Sequence, residues 1–245
     1  MLISLKGSIG YSFPIYRNLE MQLKGGRIYC VLGPNGSGKT TILKSLSGSL
    51  PLISGSVEKD PPAKSLYVPP DPPSIPGMRG GDAALSLLAA NERRLLYGEW
   101  KREILDRVSN LLRELESDVD LEREFEQFST GEKMKILLAS SIASDAPYLF
   151  LDEPNGHLDI GARFSLYRIL REEKARKLIV LSLHDIWDAS LICDYGILMG
   201  KKAVLGPMRI DEILNENLLQ ELYRVVFKTL YVDDKKILIP MDKIS

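Results

Sequence analysis

Gly33-Pro34-Asn35-Gly36-Ser37-Gly38-Lys39-Thr40 spells out a phosphate cradle. The pattern G-x-x-x-x-G-K-[ST] places glycines where a loop must wrap tightly, so that successive backbone N–H groups converge on phosphate oxygens. Lys39 adds a point positive charge for the β and γ phosphates, and Thr40 offers a hydroxyl to Mg²⁺. Before the loop stands Arg27-Ile28-Tyr29-Cys30-Val31-Leu32, an apolar, β-rich run. After it, Thr40 to about Leu46 reads as a helix whose positive end faces the same anion. Strand, loop and helix agree, so the chain is expected to bind a nucleoside triphosphate.

The rest of the composition is that of an ordinary globular protein. The 245 residues suit one large α/β domain with an inserted or appended subdomain. A hydrophobic share of 44% and a charged share of 27% leave enough apolar material for a core. A formal net charge of −1 argues against a nucleic-acid binder, which usually shows a basic face. No signal-peptide layout opens the chain, and no apolar stretch approaches the roughly 20 residues needed to span a bilayer. Cys30 and Cys193 are too few for a disulfide framework and read as small buried hydrophobes of a reducing compartment.

Residues 1 to about 32 alternate apolar and polar between glycines and Pro14, which suggests antiparallel strands leading into the cradle. Pro61, Pro62, Pro69, Pro70, Pro72, Pro73 and Pro76 are half of the chain's 14 prolines, so this stretch reads as an irregular connector. From Asp82 to about Glu116, Leu85, Leu88, Ile104, Leu105, Val108, Leu111, Leu112 and Leu115 recur at helical spacing. Beyond Phe128 the reading alternates: helix Glu132–Ile142, strand Tyr148–Leu151, helix Phe164–Lys174, strand Leu178–Leu183, helix Ile186–Leu191. Short, continuously apolar strands between helices argue a parallel sheet covered on both faces. One or two helices after Gly206 and a hairpin, Val225–Val232 and Ile237–Pro240 around Asp233-Asp234, complete the chain.

Other pieces of a site fall at strand ends. Leu149-Phe150-Leu151-Asp152-Glu153-Pro154 puts two carboxylates at the exit of a buried strand, where ligands of α/β sheets collect. Asp152 is placed to hold Mg²⁺ and Glu153 to take a proton from an attacking water. Phe128-Ser129-Thr130-Gly131-Glu132 contains S-x-x-E before an apolar run, a capping box that can equally serve as an anion site. The only two histidines also lie at such places: His157 just after the acidic pair, and His184 after an apolar strand.

The order of these motifs resembles the ATP-binding cassette ATPases over nearly the whole chain. Gly33 to Thr40, with Thr41 after it, is similar to their Walker A loop. Ser129-Thr130-Gly131-Glu132 is similar to the signature motif, and Leu149 to Glu153 to Walker B with its catalytic glutamate. Asn155-Gly156-His157-Leu158-Asp159 is similar to the D-loop, and His184 to the switch histidine. The resemblance implies a P-loop NTPase core with an antiparallel β subdomain at 1–71 and 128–206, an inserted α-helical subdomain at 72–127, and a small C-terminal extension at 207–245. It implies ATP and Mg²⁺ as ligands, with Thr40 and Asp152 at the metal and Glu153 and His184 catalytic. It further implies a head-to-tail dimer, with this chain or another cassette, in which Ser129 to Glu132 closes the partner's site and Asp159 belongs to the D-loop.

An integral membrane permease would then hold the chain peripherally on the inner, cytoplasmic face. An aromatic side chain before Walker A stacks on the base in the family, and Tyr11 is the candidate, with Phe13 the alternative. Leu183-His184-Asp185, the step Asp159-Ile160 and the tail from Gly206-Pro207 look most like the importers of iron-siderophores, haem and cobalamin. The other readings are a soluble cassette protein outside transport and a regulatory ATP-binding subunit with weak hydrolysis. Three departures stand out. Thr130 replaces the usual glycine, Glu132 the usual glutamine, and Pro70 the glutamine of the Q-loop at Tyr67-Val68-Pro69-Pro70. Asp71 is the nearest group able to replace that lost metal contact.

Overall fold

A computed structural model describes residues 1–89, 99–200, 203–232 and 235–243. The central sheet has six strands in the order β5-β6-β7-β3-β8-β9. They are β3 (Ile28–Leu32), β5 (Ser65–Val68), β6 (Tyr148–Asp152), β7 (Leu178–Ser182), β8 (Tyr195–Met199) and β9 (Val204–Arg209). The first five pair in parallel and β9 closes the edge antiparallel to β8. Alternate residues of each strand enter different cores. Ile28, Cys30, Leu32, Leu149, Leu151, Ile179 and Leu181 face one, and Tyr29, Val31, Tyr148, Phe150, Leu178 and Val180 face the other. Covering both faces explains why β3, β6 and β7 are apolar at almost every position.

The second core is roofed by α1 (Lys39–Ser47), through Ile42, Leu43 and Leu46, and by an antiparallel sheet. That sheet runs β2 (Pro14–Lys24), β1 (Leu2–Gly10), β4 (Ser54–Asp60). The first core takes α4 (Thr130–Ala143), α5 (Ile160–Glu173) and α6 (Ile186–Ile192). Between β5 and α4 the chain makes α2 (Gly80–Ala89) and α3 (Glu99–Glu114), which pack on α4. Ile104, Val108, Leu112 and Leu115 are buried while Lys101, Arg102 and Glu103 are exposed, the single-sided pattern of an amphipathic helix. The expected helical stretch between them, 90–98, lies outside the described residues.

The tail carries α7 (Ile210–Ile213), α8 (Glu216–Tyr223) and the expected hairpin of β10 (Val225–Val232) with β11 (Lys235–Lys243). Its Asp233-Asp234 turn lies outside the described residues.

Three sequence readings need correction. The proline-rich connector contains a real strand, β5, tolerated because it sits at the sheet's edge and its four residues hold no proline. The sequence patterning marks no strand at β4, β8 or β9, and β9 runs across the junction at residues 206 and 207. Cys30 and Cys193 are not separate hydrophobes: they form a disulfide, with Cα atoms 5.9 Å apart, tying β3 to the end of α6.

Candidate active site

The cradle forms where β3 turns into α1. Gly33 can carry no side chain, since a Cβ there would lie 2.4 Å from the Met199 carbonyl oxygen. Gly38 is the N-cap of α1 with φ +94°, a left-handed conformation that favours glycine, and it offers the helix no side-chain cap. The first N–H groups of α1 are thus left for an anion. Lys39 is buried and its Nζ donates to the Gly33 carbonyl at 3.0 Å, across the loop. Burial pulls the Lys39 ammonium below its usual range, opposed by the carboxylates of Glu153 and Asp152, which places both acids in its field. Ser37 is buried with its hydroxyl unpartnered, a polar atom that suits a phosphate oxygen. Thr40 and Thr41 follow Lys39 in the first turn of α1, Thr41 buried and Thr40 half-buried.

Tyr16, which sequence reasoning missed, braces the loop from behind. Its hydroxyl donates to the Ser37 carbonyl at 2.7 Å and also bonds the Gly200 carbonyl. Tyr11 and Phe13 are 56% and 81% exposed, so both rings are free to meet a base.

Asp152 ends β6 fully buried. Parallel register sets it opposite Ser182 on β7, and the Ser182 hydroxyl donates to Asp152 Oδ1. Tyr67 on β5 donates its own hydroxyl to Asp152 Oδ2 at 2.9 Å. Burial, and after it the same carboxylate, hold the phenol above its usual range, so it stays a donor. Glu153 follows with φ +51°, its N–H donating to Ser182 Oγ at 2.9 Å. Its Oε1 lies 2.6 Å from His184 Nε2. Lys39, Asp152, Glu153 and His184 therefore converge at the carboxyl ends of β6 and β7 beside the cradle.

The remaining candidates surround this centre. Ser129 caps α4 in the expected capping box: Ser129 Oγ accepts from Glu132 N at 3.2 Å, and Glu132 Oε2 from Ser129 N at 2.8 Å. Gly131 needs its hydrogen, because a Cβ there would lie 2.9 Å from the His157 carbonyl oxygen. Thr130 is exposed at the helix start. Asp159 caps α5, accepting from Ala162 N at 2.9 Å, and lies 3.5 Å from Lys135 Nζ. Asp71 turns to His157, Oδ1 to Nε2 at 3.0 Å, rather than to Asp152. Among the described residues, no three His, Cys, Asp or Glu gather to hold a metal unaided. One buried carboxylate suits a cation that takes its other oxygens from phosphates and water, the habit of Mg²⁺.

A parallel sheet whose strand ends present a glycine cradle, a buried lysine and an Asp-Glu pair defines a P-loop nucleoside triphosphatase. Residues 16–156 match the ABC transporter family. An achromobactin transport ATP-binding protein of Dickeya dadantii is 27% identical over 235 residues, covering 89% of this chain and 86% of that protein. A hemin import ATP-binding protein of Streptomyces coelicolor is 29% identical over 220 residues, with 86% and 78% covered. An inward-facing metal-chelate type ABC transporter superposes with a TM-score of 0.81 at 22% identity, covering 98% and 96% of the two chains. The chain belongs to the ABC transporter family. It is an ATP-binding subunit of that family and an ATPase. No helix among the described residues is long and apolar enough to cross a membrane.

Proposed function

We propose that this chain powers a permease for iron-siderophore, haem or related chelates, binding ATP at Gly33 to Thr40 and hydrolysing it with Mg²⁺. The likeness to an achromobactin transport and a hemin import ATP-binding protein supports that solute class. The contact that carries the catalytic half is Glu153 Oε1 to His184 Nε2 at 2.6 Å, beside Lys39 and Asp152.

In this reading Lys39 exchanges the Gly33 carbonyl for phosphate oxygens, and the bare N-terminus of α1 takes the same charge. Thr40 and Asp152 would hold the metal, which would supply charge neutralisation on the phosphates. Ser182 and Tyr67 keep the Asp152 carboxylate oriented. Glu153 takes the proton of the attacking water at the oxygen His184 leaves free, and His184 steadies the γ-phosphate or that water. Two copies, or this chain and another cassette, close each site by adding the partner's Ser129 to Glu132, with Asp159 of the D-loop at the junction. Tyr11 or Phe13 stacks on the base. Residues 1–71 with 128–206 act as the ATPase core, 72–127 as the helical subdomain and 207–245 as an extension. The assembly sits peripherally on the cytoplasmic face of the membrane through its permease.

His184→Ala tests the carrying contact. Steady-state phosphate release is expected to fall by about 10²-fold or more, the scale of a lost catalytic group, while binding of a non-hydrolysable ATP analogue persists. Unchanged turnover in that variant would remove His184 from the mechanism.

A further inference from the structure

Beyond the pairing of β6 with β7 and the bonds of Ser182, two further links join the chain segments that carry Glu153 and His184. The first link is the direct one, Oε1 to Nε2. The second lies deeper. Two residues beyond Glu153, the Asn155 amide Nδ2 donates to Asp188 Oδ2 at 2.6 Å, and Asp188 stands four residues beyond His184, within α6. Together the links close a ring: Glu153 to Asn155 along the chain, across to Asp188, back along α6 to His184, and across to Glu153. Asp185 caps α6, its Oδ1 accepting from Trp187 N at 2.8 Å, so a shift at Asp188 is passed to His184 through one fixed turn.

The ring encloses a backbone that needs holding. Glu153 has φ +51°, a left-handed conformation that residues other than glycine keep only where their surroundings over-determine it. Ser182 Oγ holds its N–H, and Gly156 N donates to its carbonyl at 3.0 Å. Neither of these reaches α6. The Asn155–Asp188 bond does, and it is shielded: Asp188 is 1% and Asn155 9% exposed, so water does not compete for it. Arg163 Nη1 lies 3.4 Å from the same Asp188 oxygen and supplies the buried charge with a partner. Burial pushes the Asp188 carboxyl up, and Arg163, Tyr167 and Asn155 draw it back down. Nothing in the catalytic scheme above uses this cluster.

We propose that Asn155 and Asp188 form a positioning pair for hydrolysis, a buried strut that sets the distance between Glu153 and His184 without touching the nucleotide. The proposal rests on the roles given to those two residues above. It predicts a loss confined to the chemical step, because the side-chain hydrogen bonds and ion pairs of Asn155 and Asp188 among the described residues run to each other and to Arg163, not to Gly33 to Thr40.

The test compares Asn155→Ala, Glu153→Gln and the exchange of Asn155→Asp with Asp188→Asn in the full chain. Asn155→Ala leaves Asp188 paired with Arg163, and the exchange keeps one amide-to-carboxylate bond with its direction reversed. Turnover at saturating ATP and Mg²⁺, and affinity for a non-hydrolysable ATP analogue, are read side by side. Asn155→Ala is expected to lose about 10- to 100-fold in kcat, the cost of a misplaced catalytic group, at unchanged affinity. The exchange is expected to recover most of that loss. Wild-type kcat in Asn155→Ala, or a parallel loss of affinity, would overturn the strut. Should the exchange not fold, the split between kcat and affinity in Asn155→Ala decides alone. Wild-type turnover in Glu153→Gln would instead overturn the catalytic reading beneath it, so the two failures are distinct.

Discussion

Glu153→Gln is expected to hydrolyse ATP about 10²–10⁴-fold more slowly than the wild type, the usual worth of a positioned general base. The amide keeps the shape of the carboxylate and can leave an oxygen beside His184 Nε2, which lies 2.6 Å from Oε1. What it loses is the capacity to take a proton. ATP affinity should therefore hold, since the cradle, Lys39 and Asp152 are untouched. The family resemblance adds that the stalled species should be a dimer, visible as an ATP-dependent shift in size-exclusion chromatography. Wild-type turnover in this variant would refute the role of Glu153.

Lys39→Ala is expected to weaken ATP binding by about 10- to 100-fold, since hydrogen bonds to charged groups contribute about 1.5–3 kcal/mol and 1.4 kcal/mol is tenfold. Turnover should vanish with it. Lys39 is a buried ammonium whose protein hydrogen-bond acceptor is the Gly33 carbonyl, and its charge offsets the nearby Asp152 and Glu153. Removing it leaves two carboxylates facing an anionic triphosphate. The fold should survive, because Ile42, Leu43 and Leu46 of α1 still fill the core beneath the loop. Calorimetric titration with a non-hydrolysable analogue measures the effect, and undiminished affinity would sink the assignment.

What the sequence disclosed about this fold was local. β3, β6 and β7 are short runs apolar at nearly every position, and burial on both faces demands that. β9 escaped notice because Gly206 and Pro207 interrupt it. An edge strand tolerates that, since it needs hydrogen bonds on one side only. The candidate site divides the same way. Lys39, Asp152, Glu153 and His184 announce themselves within contiguous motifs. Their supports come from far along the chain: Tyr67 stands 85 residues before Asp152, and Ser182 stands 30 after it. Strand register, pairing Asp152 with Ser182 and Tyr67 with Phe150, brings them together, and that register is a relation between strands far apart in the chain rather than a feature of any one motif. The disulfide of Cys30 and Cys193 was hidden for the same reason, its halves being 163 residues apart. Asp71 was legible as an acid in the right region but not in its partner. It pairs with His157, which leaves Tyr67 as the group from this segment that touches the Asp152 carboxylate.

The central claim, ATP hydrolysis at a site shared between two cassettes, is tested most directly by mixing two inactive variants. Lys39→Ala disables the cradle and Gly131→Asp disables the signature turn, where a side chain would strike the His157 carbonyl and add negative charge. A mixed dimer keeps one intact cradle facing one intact signature turn. Phosphate release from the mixture should rise well above that of either variant alone. Mixed dimers that form and release no phosphate would contradict a shared site.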